Sequence, residues 1–101
     1  MKISKSIKYT NLARKIIPHQ TGTFSRSASH FVEGVYPSYI QKAKGAYFED
    51  VDGNNFLDYL LGLGPITLGY NYERVNNAIK EQLDQGILFS LPHHVEVDTA
   101  E

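Results

Sequence analysis

Residues 44–60 read KGAYFEDVDGNNFLDYL, and their spacing decides the fold. Ala46-Tyr47-Phe48-Glu49-Asp50 and Asn55-Phe56-Leu57-Asp58-Tyr59-Leu60 are rich in aromatic and aliphatic residues that suit a pleated, half-buried surface. Between them stand Asp52-Gly53 and then Asn54, and an Asp-Gly pair tolerates the positive φ that a tight hairpin requires. Just upstream, Ser38-Tyr39-Ile40-Gln41 starts another strand, and Lys44-Gly45 supplies its turn. Three strands joined by two short turns predict an antiparallel meander. Its polar face would carry Gln41, Glu49 and Asp58, leaving tyrosines and aliphatics for a partner layer.

Helical periods flank the meander. Ile3, Ile7, Leu12, Ile16 and Ile17 recur roughly at helical spacing, and Pro18 stops the run because proline disfavours helical backbone in the residue before it. His19 to Gly34 is rich in serine, threonine and glycine and reads as an irregular arm. Phe24, Phe31 and Val32 are too apolar for a free linker and call for a surface to cover them. After Leu60 comes the loop Leu61-Gly62-Leu63-Gly64-Pro65. A helix then opens near Asn71, a good N-cap, with Tyr70 and Val75 at staple positions. Val75, Ala78, Ile79 and Leu83 form its apolar stripe, and Gly86 its C-cap. A further helix begins around Pro92. It runs through Val97-Asp98-Thr99-Ala100-Glu101 without a stop signal, so we expect the sequence to be the N-terminal piece of a longer protein.

The 101 residues weigh 11.4 kDa, 42% are hydrophobic, and ten bases face eleven acids for a net charge of -1. That is a globular composition. No run of about 18 apolar residues is present to span a membrane. Zero cysteines exclude disulfides, thiolate metal sites and a cysteine nucleophile. A balanced charge argues against a nucleic-acid surface. The balance is itself an average. Residues 1–32 carry six bases and no acid, whereas the remainder carries four bases and eleven acids. An acid-free, serine-containing leader has a superficial likeness to an organellar transit peptide, but four of its six bases are lysines. We read it as a basic helix and arm held to an acidic body by Coulomb attraction.

The sharper motifs fail on spacing. Gly62-Leu63-Gly64 lacks the third glycine of a dinucleotide fingerprint, since Thr67 stands there. Gly64 to Gly69 has Walker spacing, but Tyr70-Asn71 follows instead of Lys and Ser/Thr. The glycines therefore let the backbone pass close to something, either neighbouring chain or a ligand. His94 and Asp98 share a helix face, which makes two ligands where a catalytic metal usually wants three, and His30 with Glu33 is a weaker pair. No G-x-S-x-G elbow surrounds a serine. Tyr47, Phe48, Phe56, Tyr59 and Tyr70 read as core and interface packing. From the residues alone the chain is a soluble α+β piece without a self-contained reaction site.

From about Phe24 onward the chain resembles the N-terminal part of class III pyridoxal-phosphate-dependent aminotransferases, nearest to the glutamate-1-semialdehyde 2,1-aminomutase-like members. The resemblance rests on KGAYFEDVDGNNFLDYL, on GLGPITLGYNYERVNNAIKEQLDQG, on FSLPHHVEVDTAE and more loosely on FSRSASHFVEGVYPSYI. It spans roughly three quarters of the sequence. Three positions depart from the aminomutase pattern. Tyr72-Glu73 replaces a His-Pro or Tyr-Pro pair, Ala28 stands where an arginine reaches the substrate carboxylate, and Leu63 replaces a tryptophan.

The resemblance implies an α+β fold: an N-terminal helix and arm (residues 1–34), then the first part of the small domain of a fold-type I enzyme (residues 35–101). It implies pyridoxal 5'-phosphate held by a large α/β domain that lies downstream, through a lysine with no counterpart here. It places Arg26, Gly62, Leu63, Gly64 and Pro65 on the substrate side of the cleft, with Arg26 as a substitute contact for the carboxylate. No catalytic, cofactor-binding or metal-binding residue is assigned. The implied parent is cytoplasmic and homodimeric, acts on small amino-group donors and carbonyl acceptors, and binds neither nucleic acid nor membrane. This chain alone would be inactive. The alternative is a small non-catalytic interaction module that retains the segment.

Overall fold

A computed structural model describes residues 1–32 and 34–101, so the pairing of His30 with Glu33 lies outside the described residues. Two compact units, Met1–Tyr70 and Asn71–Glu101, are taken in turn.

The first unit opens with α1, Ser4–Ile16. It stops where expected, as Ile17 turns to extended backbone ahead of Pro18. The arm is wound into three short 3-10 turns, Pro18–Gln20, Phe24–Arg26 and Ala28–His30. Strands β1 (Ile40–Lys44), β2 (Tyr47–Asp50) and β3 (Asn55–Leu57) form an antiparallel sheet in the order β1-β2-β3, the expected meander. Lys42 lies opposite Glu49 and Phe48 opposite Phe56. The two phenylalanine rings stack at 5.2 Å.

The hairpin is built around Asp50, which is 1% exposed. Its Oδ1 accepts the Asp52 and Asn54 N–H groups at 2.9 and 2.8 Å, and its Oδ2 accepts from Asn54 Nδ2 at 2.7 Å. A carboxylate with these local donors can be buried without a counter-ion. Gly53 takes the positive φ, +86°.

Asp52 leaves the hairpin to hold α1. It accepts the Lys5 and Ser6 N–H groups at 2.7 and 2.8 Å and the Ser6 hydroxyl at 2.7 Å. The helix's own N-cap, Ile3, has no side-chain acceptor to offer. A carboxylate from the hairpin thus satisfies the orphan donors and meets the positive end of the helix dipole. These contacts run through backbone N–H groups and a serine hydroxyl rather than through the basic side chains of the leader.

Several expectations need correction. The buried face of α1 is Ser6, Thr10 and Ala13, while Ile7, Leu12, Ile16 and Ile17 remain exposed. The covered face is thus made of small side chains at i, i+4 and i+7. Phe24 and Val32 in the arm are likewise exposed. Strand β3 ends at Leu57 rather than Leu60, because Asp58 Oδ1 accepts the Leu60 and Leu61 N–H groups at 2.7 and 3.3 Å and turns the chain. Asp58 therefore leaves the wet sheet face, and Glu49 on that face pairs with Lys42 at 3.1 Å.

In the second unit α2 spans Glu73–Gln85 with Tyr72 as N-cap. Asn71 is not the cap and Tyr70 is not a staple residue. Asn71 sits at φ +54° and its Oδ1 accepts from Asn76 Nδ2, so its side chain serves a left-handed turn, which asparagine tolerates. Gly86 ends the helix as expected, donating to Gln82 and Leu83 carbonyls from φ +110°. Helix α3, His94–Ala100, starts at His93, whose ring accepts the Val95 N–H while Glu96 reaches back to the His93 N–H. Among the described residues no helix is long and apolar enough to cross a membrane.

Candidate functional site

The site lies inside the first unit, where the arm, the sheet and the loop after β3 meet around a cleft of about 480 Å³. The arm contributes Arg26 and Ala28, β2 contributes Phe48, and the loop contributes Gly62, Leu63 and Pro65. Four of the five residues singled out from sequence thus line the same cleft: Arg26, Gly62, Leu63 and Pro65. Gly64 is not among the lining residues.

The loop owes its shape to four consecutive residues at positive φ: Leu61 +52°, Gly62 +61°, Leu63 +66° and Gly64 +119°. Left-handed backbone costs a leucine about 1–2 kcal/mol, so Leu61 and Leu63 together hold about 2–4 kcal/mol of strain. The Leu63 N–H to Leu60 carbonyl and Gly64 N–H to Leu61 carbonyl bonds, both 3.0 Å, keep the turn closed. A Cβ on Gly62 would come within 3.0 Å of Ile66 Cγ1. Strain of this kind persists where surrounding contacts over-determine the backbone, and it clusters at ligand-binding loops.

The floor of the cleft is polar. Tyr70 Oη donates to Asp58 Oδ2 at 2.6 Å, while Asp58 Oδ1 is occupied by the Leu60 and Leu61 N–H groups. The Tyr70 hydrogen bond is the main reason that the Asp58 carboxyl is held below its usual range, against the opposing effect of burial. The same bond, with burial and the Asp58 charge, pushes the Tyr70 phenol up to about 12, and the nearby Arg26 charge opposes that rise. No side chain hydrogen-bonds or ion-pairs with the Arg26 guanidinium among the described residues.

Tyr70 is placed by its backbone. Gly45 and Tyr70 exchange two N–H to carbonyl bonds, at 2.9 and 2.8 Å, across an isolated antiparallel bridge. Gly69 permits it: at φ +81° a Cβ would meet the Gly45 carbonyl oxygen at 2.9 Å. Here the glycine accommodates neighbouring chain. Sequence reasoning missed the Asp58–Tyr70 pair, placing one on a solvated face and the other in a helix staple. No local pattern joins two residues twelve positions apart.

Chemically, the cleft offers a cation at Arg26, a fixed anion at Asp58 and a tyrosine oxygen whose proton is committed. It can bind and orient a small polar molecule against apolar walls such as Phe31 and Leu63. No lysine lines it. His94 Nδ1 and Asp98 Oδ2 in the second unit stand 2.9 Å apart, and among the described residues no cluster of three metal-ligating side chains occurs.

A family model described as aminotransferase class-III matches residues 29–101. Over 98 residues the chain is 35% identical to the glutamate-1-semialdehyde 2,1-aminomutase of Ignicoccus hospitalis, which covers 97% of this chain and 22% of that protein. It is 46% identical over 65 residues to the protein of the same name from Saccharolobus islandicus, covering 64% of this chain and 15% of that one. Among solved structures, a transaminase with PLP (pyridoxal phosphate) bound superposes with a TM-score of 0.81 at 26% identity, over 97% of this chain and 22% of the other. The chain spans about a fifth of the length of the curated relatives it matches.

Proposed function

This chain belongs to the class-III aminotransferase family, and on that premise we propose that it forms the arm and first part of the small domain of a pyridoxal-phosphate enzyme that moves an amino group. Residues 1–34 are the helix and arm, and residues 35–101 open the small domain. The observation that carries this reading is the family match over residues 29–101, joined to a cleft that holds the arm's Arg26 beside the loop Gly62–Pro65.

The residues present do not make a cofactor site. The base on the cleft wall is Arg26, and none of the seven lysines lines it. We therefore place the Schiff-base lysine, and the acid that pairs the pyridine nitrogen, outside this chain. The cofactor supplies the electron sink for amino-group chemistry when bound. This chain's part is to hold the substrate: Arg26 takes its carboxylate, Gly62, Leu63 and Pro65 wall it from water, and Gly64 lets the loop turn behind them. The whole enzyme is read as a cytoplasmic homodimer acting on small amino donors and carbonyl acceptors, and the chain alone as inactive. Transfer of the amino group between molecules and its shift within one substrate are both readings of the whole enzyme: Ala28 and Leu63 depart from the aminomutase pattern, whereas the curated relatives carry the aminomutase name.

The test is spectroscopic. Pyridoxal phosphate added to the 101-residue chain should give no stable aldimine absorbance, whereas the product of the whole reading frame containing it should give one that amino donors bleach. A stable aldimine on the chain itself, or none in the whole product, overturns the reading.

A further inference from the structure

Tyr70 and Asp58 line the same cleft as Arg26, and their hydrogen bond has a defined direction. A phenol has one proton to donate, and a carboxylate can only accept. The 2.6 Å contact therefore commits the Tyr70 proton to Asp58 Oδ2 and leaves the phenol oxygen with acceptor capacity only. The carboxylate cannot rotate away, because the Leu60 and Leu61 N–H groups hold its other oxygen. Nor can the tyrosine backbone drift, since the two-bond bridge to Gly45 anchors it. A fixed acceptor thus stands in one cleft with a guanidinium, which has five donors and no acceptor.

We propose that Tyr70 is a specificity-determining residue of this cleft, and Asp58 its positioning residue: a carboxylate held by Arg26 is preferred when the same molecule carries a hydrogen-bond donor for the Tyr70 oxygen. This rests on the reading of the cleft as the substrate side. A ligand lacking the donor leaves the Tyr70 oxygen desolvated without a partner, and one bringing an acceptor there is repelled.

The test titrates the isotope-labelled 101-residue chain by NMR, following Arg26, Gly62 and Tyr70. The probes are β-alanine and γ-aminobutyrate, matched against propionate, butyrate and monomethyl succinate. One net hydrogen bond predicts that the amino acids bind about five- to tenfold more tightly than the plain carboxylates. Tyr70→Phe made together with Asp58→Asn removes the phenol oxygen without leaving a bare carboxylate in the cleft, keeps the backbone bridge to Gly45, and should abolish that difference. Asp58→Asn should reverse it. The carboxamide oxygen would take the Leu60 and Leu61 N–H groups, its amide would donate to Tyr70 Oη, and the released phenol proton would favour the ester of monomethyl succinate. A merely structural role for the pair would weaken all probes alike.

Equal affinities in the unchanged chain, no saturable shift with any probe, or a preference surviving in the Tyr70→Phe, Asp58→Asn double variant would overturn the proposal. No cofactor is present in this titration. A missing aldimine band in the whole enzyme would sink the function reading without touching the probe preference, and the reverse also holds.

Discussion

Gly69→Ala isolates the contact that sets the floor of the cleft. The new Cβ would lie 2.9 Å from the Gly45 oxygen, 3.0 Å from its carbonyl carbon and 3.1 Å from its Cα. All three are backbone atoms, so nothing flexible can give way. The site also sits at φ +81°, where alanine incurs about 1 kcal/mol or more. The two Gly45–Tyr70 hydrogen bonds contribute about 1 kcal/mol each when made. Losing both and adding the strain gives about 3 kcal/mol, or roughly a hundredfold in the local opening equilibrium. The assay is amide hydrogen exchange at Gly45 and Tyr70, both donors in the bridge, with the Asp50 amide of the hairpin as internal reference. It reads local opening even where global unfolding is broad.

Gly53→Ala is the control. Gly53 has nearly the same φ, +86°, but nothing within 4 Å of its Cβ position. It should cost about 1 kcal/mol at the hairpin and leave Gly45 and Tyr70 protected. If Gly69→Ala leaves both bridge amides within about threefold of their original protection, a loss under about 0.7 kcal/mol, the bridge does not hold the site.

Two further outcomes follow from the charged contacts. A spectrophotometric phenol titration should show one late step near pH 12 that Tyr70→Phe removes; because the folded value is raised, the pair's stabilisation is complete below the ordinary phenol value near 10 and fades as pH climbs towards 12, and a trace identical in the variant would refute the assignment. In Asp52, burial is the largest single influence and raises the carboxyl, but the hydrogen bonds from Ser6, Lys5 and Ser4 together bring it below its ordinary value of 3.8. Docking of α1 should therefore hold above that value and fail as pH falls through the lower folded one. Asp52→Ala should free the helix at neutral pH, seen as lost far-ultraviolet ellipticity and faster proteolysis before Pro18, and an unchanged digestion pattern would count against it.

Much of the chain was legible residue by residue. Pro18 marked the end of α1, Asp52-Gly53 the hairpin and Gly86 the end of α2, because each acts through backbone conformations available to that residue type. Errors arose where one side chain had two possible partners. Asn71 looked like a cap but took a left-handed turn bonded to Asn76. Asp58 looked like the wet end of a strand but closed a turn and bound Tyr70. The candidate site was half legible: Arg26 and the Gly62–Pro65 loop came from resemblance, whereas the polar floor came only from the fold.

By itself, then, the sequence determined the α+β class, the three-stranded meander, the positions of its turns and the family, since all of these rest on local conformational preference or on contiguous motifs. Tertiary structure decided which face of α1 is covered, that a hairpin aspartate caps a helix nearly fifty residues earlier, and that Asp58, Tyr70 and Arg26 share one cleft. Those pairings depend on where the folded backbone brings distant donors and acceptors within about 3 Å, and periodicity along a chain carries no record of that distance.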